Sequence, residues 1–168
     1  MKIKHIETRL LTLRLKEAYQ IAYERVDTTT NVLLRIETDN GITGYGCAAP
    51  DAMVTGETAD SVQQFVEAAV EPALHNADAL RIARLTEVLQ PMGANNPAAM
   101  AMVDMALYDI LGKRAGLPIY ILLGGFRTNM KTSITIGILP MEQTIAKAKD
   151  FVAQGFQALK LKGGVDVE

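Results

Sequence analysis

The chain has a single cysteine, Cys47, and no tryptophan among its 168 residues. A lone cysteine excludes an intrachain disulfide and fits a reducing, cytoplasmic setting, with Cys47 read as a small buried residue. Aromatic residues make up only 5% of the chain, yet hydrophobic content is 49%, which implies an ordinary aliphatic core and excludes a disordered composition. Neither sign of charge dominates: 17 Lys and Arg against 19 Asp and Glu leave a net charge of −2. That balance offers no electrostatic footprint for nucleic acid or an anionic membrane. No apolar run approaches the roughly 18 residues of a membrane span, and residues 1–15 are too interrupted by charge for a signal peptide. The length allows one good-sized domain, or a small domain with part of another.

Against those absences stand clear local patterns. Ile3 to Leu15 has strand-like apolar content, whereas Lys16 to Thr30 is polar and without a period. Asn31 to Thr38 reads as a strand with Val32, Leu34 and Ile36 on one face. Asp39-Asn40-Gly41 is a hairpin signal, because Asn and Gly tolerate the positive φ of a tight turn. Ile42 to Cys47 returns, with Gly44 and Gly46 leaving room for another backbone. A three-stranded antiparallel meander is therefore expected. Three helices follow. Thr58 or Asp60 caps the first, which ends at Pro72; a weaker one spans Ala79 to Leu89; Asn96 caps a third that begins at Pro97. The third has an apolar stripe of Met100, Val103, Leu107, Ile110 and Leu111, read as core filling, and it stops at Gly116-Leu117-Pro118. Asp104 and Asp109 flank that stripe and read as structural hydrogen-bonding groups, while His5 and His75 have no partner pattern.

The style changes after Arg127. A β-branched strand from Thr132 to Gly137, a helix opened by Pro140, a stop at Gly155 and a strand from Ala158 to Lys162 form a βαβ unit, which implies a parallel sheet. A lone βαβ unit leaves its sheet edges unpaired and its faces poorly covered. Either the chain is the N-terminal portion of a longer protein, the favoured reading, or another chain completes it. In the last strand Lys160 and Lys162 project to one side and Leu159 and Leu161 to the other. Two ammonium groups roughly 7 Å apart disfavour each other's charge, the condition under which a lysine serves as a base near neutral pH.

Several runs together resemble the enolase superfamily, in its muconate-lactonizing enzyme branch. They are DNGITGYG at 39–46, VTGET at 54–58, ALYD at 106–109, GLPIY at 116–120, LGG at 123–125 and LKLK at 159–162. Within the branch, Ala49-Pro50 followed by Val54-Thr55-Gly56 is most similar to dipeptide epimerases of the Ala-Glu type. The resemblance implies an α+β capping domain over residues 1–127, made of the meander and helices, followed over 128–168 by the first βαβ unit of a truncated (β/α) TIM-type barrel.

Barrel active sites lie at the C-terminal ends of the strands, which is where both lysines fall. Enolase-superfamily sites pair a Lys or His base with Mg²⁺. The resemblance then makes Lys162 the catalytic base that removes or returns a proton α to a carboxylate or carboxamide. Lys160 supports it and stabilises the developing oxyanion. The family's metal ligands sit on the third, fourth and fifth barrel strands and a second lysine on a later one, all beyond Glu168. No metal ligand is therefore assigned here, Asp166 and Glu168 read as solvated loop residues, and the chain by itself is expected to be inactive. The full-length protein is expected to be a homo-oligomer acting on a dipeptide or related carboxylate.

The family's N-terminal domain also lends two loops that choose the substrate. Candidate substrate-binding residues are Tyr19, Glu24 and Arg25 in one, and Val54 and Thr55 in the other. Where Ala-Glu epimerases commonly present an arginine to a distal carboxylate, this chain has Glu24, with Arg25 next. If Glu24 faces the cavity, a cationic substrate is favoured; if Arg25 does, an anionic one; both facing solvent is the third arrangement. Muconate cycloisomerase, o-succinylbenzoate synthase and N-acylamino acid racemase share these motifs. A non-catalytic capping module completed by a partner chain is the alternative of another class.

Overall fold

The computed structural model describes residues 1–20 and 25–163, with the side chains of Tyr19 and Gln20 outside that description. It divides into two compact units, Met1–Leu13 with Thr30–Phe126, and Arg14–Thr29 with Arg127–Glu168.

The meander is present, in the order β1 (Ile3–Gln20), β2 (Arg25–Thr38), β3 (Thr43–Ala48). Along β2, Val32, Leu34 and Ile36 are fully buried while Leu33 is exposed, the period-2 alternation of a sheet with one covered face. Its return to β3 sets Leu34 opposite Gly46 and Ile36 opposite Gly44. The turn between them has Gly41 at φ +83°, and Thr38 closes it by donating its N–H to the Ile42 carbonyl at 3.0 Å. One expectation fails here. Residues 16–20 and 25–30, polar and without a period, continue β1 and β2. Main-chain pairing requires no apolar pattern, so a strand without a fully buried face leaves no periodic trace in the sequence.

The helices lie over the buried face. Thr58 caps α1 (Ala59–Phe65) through a reciprocal pair with Ser61, its hydroxyl accepting the Ser61 N–H at 3.1 Å and its own N–H bonding Ser61 Oγ at 2.9 Å. The helix does not end at Pro72. A π segment, Val66–Val70, carries it into α2 (Glu71–Leu74). Proline lacks the N–H that an α-turn needs, and the π turn, in which Glu71 donates to the Val66 carbonyl, takes up the change ahead of it. The next helix, α3, spans Ile82–Gly93 rather than 79–89. Its start is delayed because Asp78 forms a bridge with Lys2 and Ala79 donates its N–H to the Met1 carbonyl at 3.0 Å. Pro91 sits in its last turn.

α4 (Pro97–Ala115) begins at the expected proline and ends at Gly116, whose φ of +67° gives a left-handed cap. Two details differ. Met102 and Ala106 join Val103, Leu107 and Ile110 in the core, while Met100 is only half-buried and packs beside Gly93. Asn96 makes no side-chain cap. Glu57, 1% exposed, takes that role: its Oε2 accepts the Ala98 N–H at 2.8 Å and its Oε1 the Ala99 N–H at 3.0 Å.

α4 also explains the glycines of β3. A Cβ at Gly44 would stand 2.2 Å from the Ala106 carbonyl oxygen, and one at Gly46 1.9 Å from that of Met102. Helix and strand meet main chain to main chain. Asp109 completes the contact by accepting the Tyr45 N–H at 2.9 Å and the Lys113 ammonium at 2.6 Å, a structural hydrogen-bonding role. Asp104 is exposed, as are His5 and His75, and Cys47 is half-buried rather than buried. A short helix, α5 (Ile119–Leu122), leads out of the unit.

Candidate active site

The second unit contains a strand, a helix and a strand: β4 (Ser133–Ile136), α6 (Met141–Ala153) and β5 (Ala158–Leu161). β4 and β5 pair in parallel, with Ser133 opposite Ala158 and Thr135 opposite Lys160. Pro140 starts α6, and Gly155, at φ +96°, ends it. The Phe156 N–H then returns to the Phe151 carbonyl at 3.1 Å, and their rings meet edge to face at 5.8 Å. That closure fixes where β5 begins, and so where its far end falls.

The far end carries the two lysines. Lys160 lies within β5; Lys162 follows it and donates its main-chain N–H to the Ile136 carbonyl at 3.0 Å, which extends the ladder past the last strand residue. Both line a cavity of about 510 Å³, Lys160 exposed and Lys162 half-buried. Glu17 and Lys147 share its wall and form an ion pair with each other. A hydrogen bond from Lys147, then its positive charge, holds the Glu17 carboxyl below the usual carboxylate range. The wall thus combines an ion pair with two lysine side chains. A smaller cavity of about 260 Å³ lies by Lys131 and Gly155, at the opposite end of the strands from the lysines.

The remaining candidates lie elsewhere or outside the description. Arg25 is exposed at the start of β2. Glu24, Asp166 and Glu168 lie outside the described residues, as does the Tyr19 side chain. Val54 is 72% exposed and Thr55 half-buried, both in the first unit. Glu17, Lys147 and Glu57 were not legible as site or support residues. The Glu17–Lys147 pair spans 130 positions with no local pattern, whereas Glu57 did stand within the VTGET run.

Mg²⁺, which the resemblance implies, finds no seat among the described residues. Among the described residues no group of three or more His, Cys, Asp or Glu could hold a metal ion. Among the same residues no helix is long and apolar enough to cross a membrane.

Comparison with known proteins places this geometry in context. Residues 5–124 match the family model of the mandelate racemase / muconate lactonizing enzyme N-terminal domain. The chain is 41% identical to the L-Lys-D/L-Arg epimerase of Desulforapulum autotrophicum, over 100% of its own length and 48% of that protein. It superposes on the substrate-liganded L-Ala-D/L-Glu epimerase of Bacillus subtilis with a TM-score of 0.95 at 35% identity, covering 99% of this chain and 46% of that one. The dipeptide epimerase of Methylococcus capsulatus, in complex with Mg and the dipeptide L-Arg-D-Lys, matches with a TM-score of 0.88 at 36% identity, over 96% and 46% of the two chains. The chain therefore spans about half the length of the relatives it matches. With the meander, the helices and the parallel β4–β5 pair all in the matching order, it belongs to the mandelate racemase / muconate lactonizing enzyme family.

Proposed function

We propose that this chain supplies the capping domain and the proton-transferring lysine of a dipeptide epimerase, with a cationic dipeptide as substrate. The observation that carries the reading is the pair Lys160 and Lys162, on one face at the C-terminal end of β5 and lining one cavity. Lys162 accepts the proton α to the substrate's carboxylate. Electrons left on that carbon flow into the adjacent carboxylate, whose oxygens gain charge, and the Lys160 ammonium beside them offsets part of it. A second lysine, which the resemblance places on a later barrel strand of the full-length protein, returns a proton to the opposite face and so inverts the centre. Mg²⁺ is bound in structures of relatives, but the described residues do not fit it, and no step here is routed through it.

The cationic preference rests on two observations. By the resemblance, Glu24 stands where Ala-Glu epimerases present an arginine, and the relative at 41% identity acts on Lys-Arg dipeptides, as its name states.

The test is Lys162→Ala in the full-length protein, with α-proton exchange in D₂O followed by NMR on both epimers of a Lys-Arg dipeptide. Loss of exchange by about 10³-fold, with circular dichroism unchanged, is expected. Exchange persisting with both epimers rules Lys162 out as the base.

A further inference from the structure

The cavity that holds Lys160 and Lys162 lies within the second unit, where residues 14–29 fold together with 127–168. Its charge is lopsided. Lys147, Lys160 and Lys162 line it, and among the described lining residues Glu17 is the one acid. Three ammonium groups oppose the entry of a cationic substrate. A cavity that takes such a substrate needs a carboxylate to meet its charge, and Glu17 supplies one. It stands in β1, ahead of both segments that the resemblance assigns to substrate choice.

The surroundings of Glu17 suit that task. It pairs with Lys147, whose hydrogen bond and then positive charge keep the carboxyl below the usual range and so ionised. Yet the pair is open to water: the Glu17 side chain is 66% exposed and that of Lys147 39%. An ion pair so placed contributes little to stability, and one ammonium in it can be exchanged for another cation. The same cavity has Ile134 and Phe151 as apolar lining. A lysine or arginine side chain is built to match, with a run of methylenes and a charge at its tip. A carboxylate beside an apolar wall thus selects a long cationic side chain over a neutral or acidic one.

We propose that Glu17 is a specificity-determining residue that accepts the cationic side chain of the dipeptide, which takes the place of Lys147 on its carboxylate. This rests on the epimerase reading above. The experiment compares Glu17→Gln with Lys147→Met in the full-length protein, reading kcat and KM for a Lys-Arg and a Leu-Tyr dipeptide, with melting temperature alongside. Both changes break the same ion pair, so a purely structural pair makes the two variants behave alike. Recognition makes them opposite in sign. Glu17→Gln is expected to raise KM for Lys-Arg about tenfold more than KM for Leu-Tyr. Lys147→Met removes the competing cation and is expected to lower KM for Lys-Arg about threefold. KM values that rise together in both variants, or a Lys-Arg to Leu-Tyr ratio that Glu17→Gln leaves as in wild type, overturn the proposal. Should Glu17→Gln not fold, Lys147→Met decides alone, since a structural pair gives no fall in its KM for Lys-Arg. A wild-type protein that exchanges no dipeptide α-proton ends the epimerase reading and this inference together. Exchange with the wild-type preference kept in Glu17→Gln ends this inference alone.

Discussion

Gly44 and Gly46 have no side chain to contribute, and what they supply is space. The carbonyl oxygens of Ala106 and Met102 occupy the volume a Cβ would need. Those oxygens belong to helix main chain, which cannot swing aside as a flexible side chain can. Gly46→Ala is expected to cost about 3 kcal/mol or more, read as a shift in the urea midpoint. Gly41 differs in kind, since open space surrounds it and only its φ of +83° excludes other residues. The two kinds of glycine look alike in a sequence. The hairpin glycine was legible because an Asx-Gly pair has its own conformational rule; the packing glycines were legible as room for another backbone, without showing which helix fills it.

Among the elements, β1 is secured at its start by the turn ahead of α3. Ile3 donates its N–H to the Ala77 carbonyl at 3.0 Å, Asn76 returns one to Ile3 at 2.9 Å, and Asp78 lies beside the Met1 amino group. The Leu80 N–H first, and the nearby amino group after it, hold the Asp78 carboxyl below its usual value of 3.8. A depressed carboxyl stabilises the fold above its unfolded pKa, and that contribution is lost as pH falls through the lower folded value. Wild type should therefore exceed Asp78→Asn in stability at neutral pH, with the gap closing below about pH 3.8 in acid-unfolding curves. Element type followed from periodicity for the meander strands and the three longer helices of the first unit, whereas their boundaries, the π segment and the short α5 did not. Proline breaks an α-turn, so Pro72 reads as a stop, whereas the π segment ahead of it is a tertiary accommodation that no local pattern announces.

For the molecule as a whole, the order of meander, helices and βαβ unit was open to sequence reading because each part has its own period. The position of both lysines at a strand's C-terminal end followed from the same rule. Glu17 and Lys147, which share the cavity wall, were hidden because only folding brings 130 positions together. Under the proposed function, substrate choice belongs to this scale. Glu24→Arg in the full-length protein is expected to shift the kcat/KM ratio from cationic toward acidic dipeptides by about tenfold or more; an unchanged ranking across a dipeptide panel removes Glu24 from the specificity surface. Lys162 has one more consequence. Its place is held by a main-chain bond to Ile136, a bond that every residue except proline can make. The scaffold thus specifies a location and leaves the chemistry placed there open. Any replacement of Lys162 other than proline therefore keeps the main-chain bond that sets the strand register.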